Sequence, residues 1–530
     1  MAEYLAPGIY LEEAGGGPRP IEGVSTSTAG FVGQTERGPQ EPRLVTSWQE
    51  YASWYGTYAD RGGTLRNIYL PYAVHGFFDN GGRRLFIARV TGPGSGTAAA
   101  ALPGDPDVTT LSANGPGAWG NNIRLVVTPS SAANAAPEGS PVKRWFRLLV
   151  VYYRDGIADD LPDPTDPAQM SNPHRIAPDM FEEFDDLSPV AADSNFAGSV
   201  INANSKLVVV EDCRGTPRNT RFTDRLMQGG STVEATRAEY VGASMPEPQP
   251  GSGLSGLAQI SEISIIGIPD EVLVEGLTDA VVDLCEKMKD RFGVVSEGTR
   301  TADAVSIFPP RDTAYAACYY PWLRVPAPHR PEGDILAPPI GHVAGIFARV
   351  DAERGVHKAP ANEVVRGLMA SGGKEPLEFT VTKAQQDILN PKGVNVIRDL
   401  HPAEGDVRVW GARTMSSDPQ WRYVNSRRLL LFVEQSIVRG TQWVVFEPNF
   451  EGTWSTVRLS IRTFLRTLWR DGALLGTTED EAFFLKCDRT TMTQDDVANG
   501  RLICLIGIAL LKPAEFVIFR ITQKTMEAQS

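Results

Sequence analysis

Tyr69 to Val90 reads YLPYAVHGFFDNGGRRLFIARV. Tyr69 to Asp79 reads as a helix, Asn80-Gly81-Gly82 supplies residues that tolerate the backbone of a helix C-terminus, and Arg84 to Val90 follows as a strand. Upstream, Ser27 to Gly33 (STAGFVG) reads as a strand and Trp48 to Trp54 as a short helix. Strand, helix and strand in that order form a βαβ rhythm, which predicts an α/β fold for this part of the chain.

The rhythm breaks at Thr91 to Gly96 (TGPGSG), and the next hundred residues change character. Strand signals near Ile123 to Thr128 and Phe146 to Tyr153, with Pro- and Asp-rich loops at Asp159 to Pro167, predict an inserted, mostly β domain. The α/β rhythm resumes with Lys206 to Glu211, Ile263 to Ile268, a helix over Leu277 to Phe292, a strand at Gly293 to Ser296 and a helix over Pro339 to Glu353. Pieces on either side of the insertion are therefore expected to share one sheet. From Glu378 onward the chain reads as α+β: a helix at Lys383 to Leu389, strands at Val394 to Asp399 and Val407 to Arg413, a helix over Tyr423 to Val438, and another over Phe450 to Arg470 with Asn449 as N-cap.

Composition sets the limits. A chain of 530 residues exceeds what one core serves, so several domains are expected. It is 42% hydrophobic and 22% charged, as folded proteins are. The formal net charge of −13 sits in the first two thirds, because residues 376–530 hold 19 Lys+Arg against 18 Asp+Glu. Such an acidic surface disfavours nucleic acid as a partner. The N-terminus, MAEYLAPGIY, lacks the basic and long apolar regions of a secretion signal. Leu502 to Leu511 is the longest apolar run, about half the ~20 residues a membrane span needs, and is expected to be a buried core segment. Five scattered cysteines, none spaced as CxxC, argue against a disulfide framework or a zinc site and fit synthesis in a reducing cytosol.

Enzymatic signals fail in context. GSGLSG at Gly251 to Gly256 satisfies G-x-G-x-x-G but follows PEPQP and no strand, and is expected to be a flexible loop. GLMASGGK at Gly367 to Lys374 has the wrong glycine spacing for a phosphate loop, and Glu375 stands where a magnesium-binding hydroxyl is needed. The six histidines form no HExxH, and there is no G-x-S-x-G elbow. No catalytic, metal or cofactor residue is assigned.

The two ends carry a different signal. Pro7 to Glu13 contains the strand GIYLEE, followed by AGGGPRP at Ala14 to Pro20, which has linker composition. At the far end Lys512-Pro513 interrupts the chain before the strand-like EFVIFRIT of Glu515 to Thr522. Both termini thus end in tethered strands. In the helix after Asn449, Val457, Ile461, Phe464, Leu465 and Leu468 form an apolar stripe, and Arg458, Arg462, Arg466 and Arg470 recur every fourth residue beside it. That stripe fits a grip on an acidic partner as well as it fits a solvated face, or salt bridges to Glu451 and Asp471.

At the termini and in the C-terminal third, the sequence resembles contractile tail sheath proteins of phages and related injection systems. The residues that carry this are YLAPGIYLEE (Tyr4 to Glu13), IEGVSTSTAGFVGQTERGP (Ile21 to Pro39), FFDNGGRRLFIARV (Phe77 to Val90) and Asn395 to Arg413 with WGART (Trp410 to Thr414). YVNSRRLLLFVEQS (Tyr423 to Ser436), FEPN (Phe446 to Asn449), FLRTLWRDGAL (Phe464 to Leu474) and Phe483 to Asp488 extend it. The resemblance covers roughly the first 90 and last 190 residues and leaves 97 to about 260 uninformative, as a variable part would be.

The resemblance implies an α/β and α+β multidomain chain: N-terminal arm 1–23; a discontinuous, subtilisin-like α/β domain without catalytic residues, 24–92 and 201–375; an inserted outer β-rich domain, 93–200; an α+β inner domain facing a tube, 376–512; and a C-terminal arm strand, 513–530. It implies a homo-oligomer of stacked rings, six subunits to a ring, around an inner tube protein, with baseplate and tail terminator or cap proteins at its ends. The particle would be made and assembled in the bacterial cytoplasm as part of a phage tail or phage-tail-like machine, with no nucleic acid bound and no direct membrane insertion. Its arms would cross to neighbouring subunits and add strands there through Ile9, Tyr10, Leu11, Phe516, Val517, Ile518, Phe519 and Ile521. Gly15, Gly16, Gly17, Lys512 and Pro513 are the candidate hinges, and the four arginines the candidate tube contact. The alternatives are an inactive-looking subtilisin-like hydrolase, which a serine-directed label would detect, and another tail or baseplate component.

Overall fold

The structure, a computed structural model, describes residues 19–58, 68–105, 108–156, 162–164, 166–219, 227–246, 251–369, 375–400 and 406–516. Nine strands make one mixed sheet: β1 (Thr28–Gly33), β2 (Arg43–Val45), β3 (Arg84–Arg89), β4 (Ile265–Gly267), β5 (Phe292–Ser296), β6 (Ala316–Tyr320), β7 (Glu363–Val364), β8 (Val394–Asp399) and β9 (Val407–Val409). Their spatial order is β7-β9-β8-β6-β5-β4-β1-β3-β2. From β3 to β8 the pairing is parallel, and antiparallel strands close both edges. β1 joins the two halves of the sequence, with Ala29 beside Leu85 on one side and Ile265 on the other.

Both faces of this sheet are covered, which is why its strands read as continuous apolar runs. On one face Phe31, Leu85, Phe292, Val294 and Tyr319 pack under two helices, α1 (Leu70–Asp79) and α3 (Ile340–Arg354). On the other, Val32, Ala88, Ile266, Val295 and Cys318 pack under α2 (Leu277–Met288). Neighbours such as Phe31 and Val32 point to opposite faces, the two-residue period of a strand. α1 stops where expected: Gly81 lies at φ +96, and the Gly81 and Gly82 N–H groups bond back to Phe78 and Phe77 carbonyls. α1 and α3 touch backbone to backbone, since a Cβ on Gly341 would lie 2.1 Å from the Ala73 carbonyl oxygen and one on Gly345 2.4 Å from that of Phe77.

The insertion holds two three-stranded antiparallel sheets, Ala99–Leu102, Thr109–Ala113 and Val208–Cys213 in one, Ile123–Pro129, Phe146–Tyr152 and Met180–Leu187 in the other, sharing a core of Leu111, Leu125, Leu148, Val150, Val208 and Met227, with a short strand pair, Gly104–Asp105 and Thr216–Pro217, beside them. Its base is pinned where the Gly92 N–H bonds the Val233 carbonyl and Gly96 that of Ser231. Glu36 clips it to the sheet domain by accepting from Tyr152 Oη (2.9 Å) and Arg154 Nε (3.0 Å). Three expectations are corrected. Lys206 to Glu211 does not resume the main sheet: Val208–Cys213 pairs with Thr109–Ala113, so the insertion continues to about residue 232 instead of ending at 200. The break set at 376 is crossed by the main sheet, because β8 pairs with β6 and β9 with β8. GSGLSG is no flexible loop: Gly253–Ala258 is a short helix that buries Leu254 and Leu257.

Beyond β9 the chain builds a smaller unit from α4 (Val424–Gly440), α5 (Glu451–Arg470) and a strand pair, β10 (Phe483–Lys486) with β11 (Leu505–Ile508). The apolar stripe of α5, Val457, Ile461, Phe464 and Leu465, is buried against Leu429 and Val433 of α4. Asn449 does not cap α5. Its side chain accepts from Trp454 Nε1 (2.7 Å) and donates to the Arg501 carbonyl (3.0 Å), and Phe450 occupies the cap position.

Candidate functional site: the roots of the chain ends and the open strand pair

The two ends of the described chain leave from opposite ends of α4. Arg19 to Thr26 runs along the helix. The Arg19 guanidinium lies over the Trp443 ring at 4.9 Å, Ile21 packs on Gly440, the Val24 N–H donates to Ser436 Oγ (3.1 Å), and the Thr26 carbonyl accepts from Arg428 Nη2 (2.9 Å). At the first turn of α4, Asn425 Nδ2 and Ser426 Oγ both donate to the Leu511 carbonyl at 3.1 Å. A 17-residue helix spans about 25 Å, which sets the separation of the two roots.

Each root is held by charge. Arg428 pairs with Asp351 of α3 through two bonds, 2.9 and 2.6 Å, and the two side chains are only 3% and 2% exposed. Glu515 is gripped by Arg413, with Nε to Oε1 at 2.7 Å and Nη2 to Oε2 at 2.6 Å, and also accepts from Asn390 Nδ2 (3.0 Å) and Tyr423 Oη (3.2 Å). Burial alone would raise the Glu515 carboxyl, but the Arg413 and Asn390 bonds bring it below the usual carboxylate value. Arg413 is placed in turn by buried Asn395 on β8, which accepts from its N–H and donates to its carbonyl, both at 2.7 Å. The residue pair Asn395 and Glu515 was not singled out in the sequence; WGART marked the place without showing what Arg413 holds.

The strand pair overturns one expectation. Leu502 to Leu511 is not a buried core segment: every residue in it is half-buried or exposed, with Leu505 51% exposed and Phe484, on the strand beside it, 56%. Among the described residues β10 and β11 pair as strands only with each other; just past β11 the Leu475 N–H bonds the Ala509 carbonyl, so the outer edge of β10 and that of β11 over Leu505–Ile508 have no strand partner.

Beside the pair, the arginines of α5 divide. Arg462 Nε and Arg466 Nε bond the two oxygens of Glu479, at 2.5 and 2.7 Å, holding that carboxyl at about 2 through hydrogen bonds first from Arg466 and then from Arg462. Arg458 donates to the Cys487 carbonyl at 3.2 Å, and Arg470 is exposed in the last turn. Intramolecular pairing thus occurs, but with Glu479 and not Glu451, whose partner is Arg489. Phe446, which the sequence marked only as the start of FEPN and gave no role, stands fully exposed at φ +71 in the α4–α5 connection.

Ile9, Tyr10, Leu11, Gly15, Gly16, Gly17, Val517, Ile518, Phe519 and Ile521 lie outside the described residues. Phe516 is exposed at the last described position. Lys512 and Pro513 lie between the Leu511 and Glu515 anchors, so in this conformation that stretch is tied on both sides. At the carboxyl ends of the parallel strands the acids serve the fold. Asp270 accepts from the Tyr69 N–H (2.7 Å) and Tyr240 Oη (3.0 Å), and Glu271 from the Ser296 N–H (2.6 Å), Ser296 Oγ (3.1 Å) and Thr278 Oγ1 (3.2 Å). Among the described residues no group of three or more His, Cys, Asp or Glu gathers as metal ligands would, and no helix is long and apolar enough to cross a membrane.

A mixed-sheet multidomain chain whose ends are anchored on one small unit describes a class, and comparison with known proteins names it. Residues 254–415 match the phage tail sheath protein central domain and residues 416–524 the phage tail sheath C-terminal domain. The two contiguous matches cover just over half of the chain, which belongs to the phage tail sheath family. The central-domain match runs to the residue before Ser416, so it contains β8 and β9. A prophage major tail sheath protein of Pseudomonas aeruginosa is 29% identical over 188 residues, 35% of this chain and 45% of that protein. The tail sheath protein of Burkholderia phage BcepMu is 27% identical over 199 residues, 36% and 38% of the two chains, so the matches span less than half the length of these curated relatives. In fold, the chain is similar to a sheath tail protein from Listeria innocua (TM-score 0.57, 12% identity, 92% and 96% of the two chains). It is also similar to the helical sheath of the anti-feeding prophage in its contracted state (TM-score 0.55, 22% identity, 98% and 100%).

Proposed function

We propose that this chain is the repeating subunit of a helical contractile sheath, polymerising around an inner tube and shortening to drive that tube through a target envelope. The observation that carries the reading is the most apolar run of the chain standing half-exposed on a two-stranded sheet. An unpaired apolar edge invites another strand, which would supply ladder hydrogen bonds and cover Leu505 and Phe484. Fully burying such a side chain is worth about 1.5–3 kcal/mol, and roughly half of that remains to be gained at each. The strands on offer are the chain's own ends, GIYLEE and EFVIFRIT, passing to neighbouring copies.

Arms that leave from opposite ends of α4 meet different surfaces, so the contact is heterologous and repeats into an open helix. By family likeness the rings are sixfold, the middle domain is subtilisin-like, the insertion faces outward, the unit of α4 and α5 faces inward, and baseplate and terminator proteins cap the polymer. Assembly takes place in the bacterial cytoplasm. The Gly15-Gly16-Gly17 tether gives one hinge. Lys512-Pro513 becomes the other when Glu515 lets go of Arg413. Arg458, Arg462, Arg466 and Arg470 face the tube, the Glu479 pairing leaving the group net positive and its hold salt-sensitive.

The test is electron microscopy and sedimentation of the full chain beside Leu505→Asp with Phe484→Asp. Both positions are exposed, so the folded subunit should survive. Striated tubes from the parent chain and none from the variant are expected; tubes of equal yield from both would reject strand addition.

A further inference from the structure

Cys487 and Cys504 stand one step beyond the last paired residues of β10 and β11. Lys486 is registered with Leu505, so continuing the antiparallel register sets Cys487 directly opposite Cys504. Directly opposed residues in such a pair have Cα atoms about 4.5–5.5 Å apart, within the ~4.4–6.8 Å that a disulfide bridges. The side chains also share one small apolar cluster, Cys487 in its core with Trp454 and Met492 and Cys504 packed against it. Cys487 is buried beside Trp454 and Met492, and Cys504 is half-buried at the rim. The other three cysteines, Cys213, Cys285 and Cys318, are buried in the insertion and the main sheet domain.

We propose that Cys487 and Cys504 are a redox-closable dithiol, reduced when the chain is made and joined as a cross-strand disulfide once the protein meets an oxidant such as hydrogen peroxide. One sulfur, having lost its proton, takes an oxygen from peroxide, giving a sulfenic acid and hydroxide. The other sulfur then displaces that oxygen, which leaves as water with the second thiol's proton as the S–S bond forms. Two thiols give up two electrons, and one peroxide becomes two waters.

Hydrogen bonding from Cys504 lowers the Cys487 thiol against the opposing effect of burial, and the nearby Arg458 guanidinium acts in the same direction as the bond; Cys504 is pushed up by the same bond. Of the two thiols, Cys487 is thus the one that gives up its proton more readily and serves as the attacking thiolate. The product would tie the excursion 488–503, with its helix Gln494–Ala498, to the open strand pair. The bond itself does not depend on strand addition; its bearing on assembly rests on that reading.

The full-length protein, folded and unassembled, is treated with hydrogen peroxide, its remaining thiols are capped with N-ethylmaleimide in denaturant, and it is digested without reduction. The expected product joins the Cys487 and Cys504 peptides, lighter by two hydrogen atoms and released by dithiothreitol, with Cys213, Cys285 and Cys318 recovered as maleimide adducts. Recovery of Cys487 and Cys504 as separate adducts, as separate sulfinic acids, or as links between copies would overturn the proposal. Because the experiment uses the unaltered chain, no folding defect can imitate either result. Polymer formation by the oxidised chain is read separately and bears only on strand addition.

Discussion

Asp351 and Arg428 face each other with almost no water, and the Arg428 guanidinium also holds the Thr26 carbonyl, so one ion pair joins α3, α4 and the entering chain. Removing one partner leaves the other buried and uncompensated, which costs about 3–5 kcal/mol. Asp351→Ala should lower unfolding stability by that amount in urea titration; a loss below 1 kcal/mol, the scale of an exposed pair, would show that the site is wetter than described. Glu271 gives a pH test. Burial pushes its carboxyl from 4.5 up to about 8, against the opposing bonds from Ser296 and Thr278. Between those values the folded chain holds a proton that the unfolded chain has released, so the stabilisation is full below 4.5 and is lost as pH rises through about 8. Glu271→Gln keeps the neutral, hydrogen-bonded form, so its melting temperature should fall less than the parent's between pH 5 and 9. Parallel curves would contradict the assignment.

α5 is an element whose two faces do different work. Its apolar stripe was legible from the spacing of Val457, Ile461, Phe464 and Leu465 and is buried in the small core. Its basic stripe was legible as a pattern, but Glu479, which pairs with Arg462 and Arg466, lies beyond the helix and belongs to no periodicity. Replacing both arginines by glutamine should leave folding stability nearly unchanged, because the arginines are exposed and water screens their pairing. It should lower co-sedimentation with the inner tube and flatten its dependence on salt; unchanged co-sedimentation would remove the arginines from the tube contact. The same distinction explains what the sequence revealed elsewhere. β1, α1 and β3 were readable because apolar runs, a glycine stop and a short connection are local signals. Val208–Cys213 was misread because an apolar strand carries no mark of which sheet it will join, and its partner lies about a hundred residues upstream. Leu502 to Leu511 was misread for the opposite reason: apolarity signals burial, but says nothing of whether the covering chain is the same molecule. The anchor at Glu515 was invisible because Asn390, Arg413 and Tyr423 converge on it from separate elements.

At the scale of the whole molecule, the sheet domain gives rigidity, the insertion is clipped to it through Glu36, and α4 carries the roots of both ends. A body built this way can exchange strands with neighbours while its core stays unchanged, which a polymer that shortens without falling apart requires. On the proposed strand exchange, each end would leave the subunit from its root beside α4, at Arg19 and at Leu511 to Glu515, and the edges of β10 and β11 would receive it. The most direct measurement is an electron cryo-microscopy reconstruction of the assembled tubes with the backbone traced through both termini. The account predicts that Ile9 to Leu11 and Val517 to Ile521 lie as strands along β10 and β11 of other copies, with Leu505 and Phe484 covered. Both ends folded back onto the subunit they came from, with those edges bare in the polymer, would contradict it.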